Sequence, residues 1–304
     1  MKKKFSKEIK KNHKSLSKKV GFGGNDDVKS FQEGGALNRQ GQDRRILKEL
    51  IRFLDEKKSS AKFTDQPVLK IGKFFLGTPY LDGTLEMKGP EHLVVNLREF
   101  DCVTFVENVV ALAWLAKSWK KSFEAFQKIL QRIRYRHGRL QGYCSRLHYF
   151  SDWIHDNQKK GIIKDVTAEI GGRPFRKVIN FMTKHPDLYP PLKNGANLRR
   201  MRSAERTISR RSLFFIPKKS LRCLEDRIRD GDLIAITTNK EGLDVQHVGL
   251  AARVKNRIHL LHASSIEGKV VLSKKTLYRY LMESRARSGF MVAKVGNADL
   301  RSLQ

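Results

Sequence analysis

Phe100-Asp101-Cys102-Val103-Thr104-Phe105-Val106-Glu107 puts a cysteine where a nucleophile is readily made. An aspartate precedes it, and an apolar helical pattern begins at the cysteine and runs to about Ser118. The first turn of a helix offers unpaired backbone N–H groups and the positive end of the macrodipole, and both favour a thiolate. Thiolate, not thiol, is the attacking species. A free cysteine is otherwise a small buried hydrophobe, so the reading depends on finding a base. Asp101 reads as the helix cap and as an acceptor for a substrate amide or amine.

Two distant histidines can supply that base. His247 lies in Gln246-His247-Val248-Gly249-Leu250 and His262 in Leu260-Leu261-His262-Ala263-Ser264-Ser265, both within strand-like segments. The link Lys255-Asn256-Arg257 predicts a tight hairpin. A loop of two or four residues sets His262 opposite Ala251 or Gly249, on the same face as His247, and turns His259 to the other face. A three-residue loop breaks that match unless a bulge restores it. With an even loop, His247 is the candidate base and His262 its orienter, the arrangement a cysteine hydrolase needs. Gly249 leaves space for a close approach.

The elements holding these residues read as helices first and strands second. Residues 1–42 are lysine-rich, then glycine-rich, and are expected as a flexible basic arm. Asp43 is expected to cap a helix carrying Ile46, Leu47, Leu50, Ile51 and Leu54. Further helices are expected at 66–76, 102–118, 123–133 and 175–183, with an irregular connection at 80–96. The basic insertion at 193–222 is expected as a surface loop or exposed helix. Strands are expected at 232–237, 246–254, 258–263, 269–272 and 289–295. This order indicates one α+β domain over 43–304.

The formal net charge is +31, from 62 basic against 31 acidic residues. Such an excess implies an anionic partner: nucleic acid, an acidic membrane face or a cell-wall polymer. The basic residues are spread over 1–19, 117–146 and 193–222, which suits a coated surface better than one reading groove. Cys102, Cys144 and Cys223 are widely spaced without a CxxC pair, which argues against a disulfide framework and a zinc site. Cys144 reads as structural. Nothing calls for a metal or an organic cofactor. No segment approaches the roughly 18 apolar residues of a membrane helix. No apolar signal core follows the basic start, which by itself suggests a cytoplasmic protein or a non-Sec export route.

Several ordered segments resemble the papain-like cell-wall hydrolases of the NlpC superfamily, and within it the N-acetylmuramoyl-L-alanine amidase-like branch. They are Gly77-Thr78-Pro79-Tyr80, Thr84-Leu85-Glu86, Val94-Val95-Asn96-Leu97, Asp101 to Glu107, Arg146-Leu147-His148-Tyr149-Phe150-Ser151-Asp152-Trp153, Gly231-Asp232-Leu233-Ile234, Leu243 to Gly249 and His262-Ala263-Ser264-Ser265. The resemblance implies a papain-like fold, with the nucleophile at the N-terminus of a helix packed on an antiparallel sheet. It implies Cys102 as nucleophile, His247 as general base and His262 as the third residue. Tyr80 matches a position beside the cleft. Arg146, His148 and Asp152 lie in the segment most particular to the branch; with the rings of Tyr149, Phe150 and Trp153 they suit binding of a sugar–peptide substrate. Glu107 reads as a structural partner.

The implied activity is hydrolysis of the N-acetylmuramoyl–L-alanine amide in peptidoglycan or muropeptides, in a periplasmic or secreted protein. Two other uses of the same triad are a D-glutamyl–diaminopimelate endopeptidase and a protein deamidase or acyl hydrolase. A reading from another class is a basic polyanion-binding protein, for nucleic acid or a membrane surface.

Overall fold

The computed structural model describes residues 27–58, 67–87 and 89–296, with side chains of the first helix described from 38 to 56. Most of the expected basic arm therefore lies outside the described residues. The chain divides into two compact units, Met1–Gln42 and Asp43–Gln304. The first helix, α1, spans Asp27–Lys58, so 27–42 is helical. Asp43 sits inside that helix and does not cap it. Its buried carboxylate accepts the Leu97 N–H at 2.9 Å and the Arg98 Nε–H at 3.1 Å.

The second unit combines helices with an antiparallel sheet. After α1 come α2 (Pro67–Phe74), α3 (Cys102–Lys117), α4 (Phe123–Arg134), α5 (Phe150–Lys159), α6 (Gly195–Ser209) and α7 (Leu277–Met282). Helix α3 is the core element, and every side chain from Thr104 to Leu115 is buried. An all-round apolar sequence such as Val109-Val110-Ala111-Leu112-Ala113 has no other stable setting. Its two polar interior residues are satisfied. Asn108 Nδ2 donates to the Thr104 carbonyl at 2.7 Å, and Glu107 accepts Arg134 Nε–H at 2.7 Å.

The strands are β1 (Ile163–Asp165), β2 (Arg173–Pro174), β3 (Phe214–Pro217), β4 (Leu233–Thr238), β5 (Val245–Val254), β6 (Arg257–Ser264), β7 (Lys269–Thr276) and β8 (Arg287–Val295). They pair antiparallel in the order β2-β3-β8-β4-β5-β6-β7, with β1 also on β8. The five expected strands are β4 to β8, each within a few residues of its expected bounds. β1 to β3 are too short to carry a period-two signal. The helix expected at 175–183 is only the turn Phe181–Lys184, because Phe175 leaves β2 by donating its N–H to Leu213 O at 2.7 Å.

One sheet face packs Leu233, Val248, Leu250, Leu261 and Ala263 into the cluster around α3. The other packs Ile234, Ile236, Ala251 and Leu260 against Leu277 and Leu281 of α7. The basic segment at 193–222 contains α6, whose Met201, Glu205 and Ile208 are buried while Arg199, Arg200, Arg202 and Arg206 face outward. Among the described residues no helix is long and apolar enough to cross a membrane.

The β5–β6 turn decides the histidine geometry. Lys255 (φ 46°) and Asn256 (φ 62°) form a two-residue turn with both residues left-handed, as in a type I′ hairpin. Val254 pairs with Arg257 and Leu250 with Leu261, so the register sets His262 opposite Gly249. On the other side, Ile236 pairs with His247 and Thr237 with Val245, which leaves Gln246 as an extra bulged residue beside His247. A Cβ at Gly249 would lie 2.8 Å from Leu261 O and 2.9 Å from His262 Cβ, so only glycine admits this approach.

The Glu107–Arg134 pair joins α3 to α4 with both side chains 2% exposed. Removing one partner leaves an uncompensated buried charge, so Glu107→Ala is expected to lower unfolding stability by about 3–5 kcal/mol. Urea denaturation of the two proteins measures this, and a loss below about 1 kcal/mol would contradict the assignment of the pair as a core constraint.

Candidate functional site

Cys102 is the first residue of α3 and is half-buried. Asp101 and Thr104 form a reciprocal capping box. Asp101 Oδ1 accepts the Thr104 N–H at 2.7 Å, and Thr104 Oγ1 accepts the Asp101 N–H at 3.0 Å. Asp101 is thus committed to the cap; burial raises its pKa, opposed by the bonds from Thr104. Cys102 Sγ lies within hydrogen-bond reach of the Val248 N–H and of its own N–H. Burial pushes the thiol up to about 12, and the Asp101 charge adds to the effect.

Val248 follows His247, so the thiol and the bulged end of β5 meet. His247 Nε2 lies 2.7 Å from His262 Nδ1, with the rings edge to face and 4.8 Å apart. Either nitrogen can be the donor, according to tautomer. Burial holds both rings neutral. It drives His247 down to about 3, helped by His262 and Arg287, and His262 down to about 4, helped by Arg287. His259 points to the other face and meets Ser273 O at 2.9 Å.

Tyr80 is placed by backbone pairing on both sides. Its N–H donates to Gly268 O at 2.8 Å, and the next N–H, of Leu81, donates to Phe100 O at 3.0 Å. Its hydroxyl is held protonated by burial and by the nearby Asp82, Cys102 and Asp101. Tyr80, Asp101, Cys102, His247 and His262 therefore belong to one neighbourhood.

Arg146, His148 and Asp152 form a different constellation. Arg146, 5% exposed, donates to Glu86 Oε1 at 2.7 Å and to Leu85 O at 3.0 Å. His148 Nε2 meets Tyr143 O at 2.9 Å, and burial keeps its ring neutral. Asp152 is buried between Arg136 at 2.7 Å and Arg211 at 2.6 Å. Tyr149, Phe150 and Trp153 are buried as well, so their rings are not offered to a sugar face. Of the other cysteines, Cys144 Sγ donates to Asn197 O at 3.3 Å and Cys223 is exposed.

Two residues here were not singled out from sequence. The Tyr280 ring lies 5.7 Å from His262 and 6.2 Å from His247, and its hydroxyl senses Cys102. The Arg287 guanidinium stacks 3.9 Å from the Tyr280 ring centroid and donates to the Tyr280 carbonyl. The one sequence trace of Tyr280 is its place between Leu277 and Leu281, a helical spacing in a segment too short to stand out. Among the described residues no three His, Cys, Asp or Glu side chains gather as a metal site.

The N-acetylmuramoyl-L-alanine amidase-like (AmiA-like) family matches residues 70–290. The chain is 40% identical to a crystal structure of an N-acetylmuramoyl-L-alanine amidase from Bacteroides uniformis ATCC 8492, covering 77% of this chain and all of that one, with a TM-score of 0.74. A Bacteroides fragilis structure provisionally called a xylanase is 41% identical, covering 74% of this chain and 100% of that one, at a TM-score of 0.71. A Legionella pneumophila structure, 24% identical over 86% of this chain and 96% of its own, shares the fold at a TM-score of 0.65. No curated protein matches.

Neutral buried histidines make stability depend on pH. Below the ordinary histidine value of about 6.5, the unfolded chain takes up protons that the folded His262 and His247 refuse until about 4 and about 3. Stability is therefore complete above about pH 6.5 and falls as pH drops towards 4, by up to about 1.4 kcal/mol per pH unit for each ring. Thermal melts of the parent and a His247→Gln/His262→Gln variant over this range should diverge, with the flatter curve for the variant. Parallel curves would mean that the rings titrate normally in the folded protein.

Proposed function

The chain belongs to the N-acetylmuramoyl-L-alanine amidase-like family, and from that premise we propose that it is a cysteine amidase cleaving the N-acetylmuramoyl–L-alanine bond of peptidoglycan or muropeptides. Cys102 is the nucleophile, His247 the general base and His262 the residue that orients it, in a papain-like site of the NlpC-superfamily type. The observation carrying this reading is the 2.7 Å contact between His247 Nε2 and His262 Nδ1, beside a thiol seated at the Val248 N–H.

The contact uses Nε2 of His247 and leaves Nδ1 for the thiol proton. The productive tautomer has Nε2–H donating to His262 Nδ1, so His262 must be neutral with its lone pair on Nδ1. Burial favours that state. Thiol and imidazole then rest uncharged, because neither charge is favoured in a dry site. Attack transfers the Cys102 proton to His247 as Sγ bonds the amide carbon. The carbonyl oxygen gains negative charge near the Cys102 N–H and the Tyr80 hydroxyl, both suited to donate to it. His247 returns the proton to the alanine nitrogen, the C–N bond breaks, and a thioester remains. Water, deprotonated by His247, then releases the muramic acid carboxylate.

The same groups would also cut the D-glutamyl–diaminopimelate link, since nothing in the triad selects between amides. The +31 surface suits an anionic wall, raising encounter rates in a salt-dependent way.

Mass spectrometry of digested muropeptides distinguishes the readings. Amidase action frees a peptide beginning at L-alanine, whereas the endopeptidase leaves L-Ala–D-Glu on the sugar. Cys102→Ala should abolish release. Tyr80→Phe should lower kcat by on the order of 10²-fold, the effect of losing one oxyanion donor. Full activity in Cys102→Ala would refute cysteine catalysis.

A further inference from the structure

A second cavity of about 350 Å³ opens where three segments meet: Leu85 to Glu91, the turn at Gly142-Tyr143 with Arg146, and Pro191 with Asn197. Tyr143 and Arg146 are only 6% and 5% exposed. Among the described residues the Tyr143 hydroxyl and Arg146 Nε have no hydrogen-bond partner. A buried polar group without a partner is strongly disfavoured, so two in one lining point to a missing ligand or ordered water.

The charges in the lining narrow the chemistry. Arg146 faces two carboxylates, Glu86 at 2.7 Å and Glu91 at 3.4 Å. One guanidinium against two carboxylates leaves excess negative charge, in a protein that is otherwise strongly basic. An anionic ligand is repelled here, and Arg146 opposes a cationic one. Groups that both donate and accept fit: ligand hydroxyls can donate to Glu86, which remains 44% exposed, and accept from Tyr143 and Arg146. At about 30 Å³ per water the cavity holds on the order of ten waters, room for one sugar ring.

The cavity also lies close to the thiol. Asp82 is near enough for its charge to act on Cys102. Glu86 is four residues further on, at most about 14 Å of extended chain.

We infer that this Glu86–Tyr143–Arg146 pocket binds an uncharged sugar ring of the substrate's glycan, a role resting on the amidase reading above. The pocket would hold the glycan while the muramyl amide lies at Cys102, so that intact glycan, rather than free stem peptide, is the preferred substrate.

The test titrates the full chain carrying Cys102→Ala with N,N′-diacetylchitobiose, a neutral amino-sugar disaccharide, using NMR shifts and calorimetry. Saturable binding is expected, weakened at least tenfold by Glu86→Gln and by Tyr143→Phe, with glucuronic acid binding at least tenfold more weakly than chitobiose. Glu86 is partly exposed, so its variant retains the fold even where Tyr143→Phe does not; thermal melts check both. Absent binding, binding indifferent to Glu86→Gln, or tighter binding of glucuronic acid overturns the proposal. Muropeptide cleavage by the parent, run alongside, separates the two ideas. Cleavage without sugar binding removes the pocket alone. Sugar binding without cleavage removes the amidase reading and leaves the pocket as a sugar site.

Discussion

The register of the β5–β6 hairpin is the constraint on which the site depends. Side chains alternate faces along a strand, so a slip of one residue would turn His262 away from His247. The left-handed turn at Lys255-Asn256 fixes the pairing, and Gly249 opposite His262 permits the strands to close over it. The bulge at Gln246 then re-aims His247 at the strand end. These local features bring two imidazole nitrogens to 2.7 Å from positions fifteen residues apart.

Helix α3 supplies the complementary constraint. It is buried almost throughout, so its N-terminus cannot shift without breaking the core around Phe105, Val109 and Trp114. The capping box satisfies its first N–H groups, and Asp101 thereby holds Cys102 at a fixed point against β5. The same burial that gives this rigidity removes water from the site. Neutral thiol, neutral histidines and protonated Tyr80 are all consequences of that one dry environment.

Charge is distributed unevenly on this scaffold. Outward arginines on α6 carry part of the basic excess, while its buried Glu205 accepts the Tyr149 hydroxyl at 2.7 Å. Asp152 ties α5 to Arg136 and Arg211. Arg146, by contrast, lines a cavity in which carboxylates outnumber it. A residue that reads from sequence as a carboxylate binder is thus already occupied by carboxylates of its own chain.

Much of this was legible in the chain. The Asp101–Cys102 helix start, the late strands and the shared face of His247 and His262 follow from local capping and from period-two alternation, which are short-range properties. The hairpin was left conditional on loop length, and the left-handed conformations of Lys255 and Asn256 resolve it to two residues. Other features depend on residues far apart in sequence and carry no local signal. Asp43 looks like a cap but is claimed by Leu97 and Arg98, more than fifty positions away. Tyr280 and Arg287 join the histidines only because α7 folds back over the sheet face that carries Ala251 and Leu260. The rings of Tyr149, Phe150 and Trp153 pattern as a binding surface yet serve the core. Composition and local pattern therefore determined which chemistry the chain can carry, whereas burial and long-range pairing decided which side chains are free to perform it.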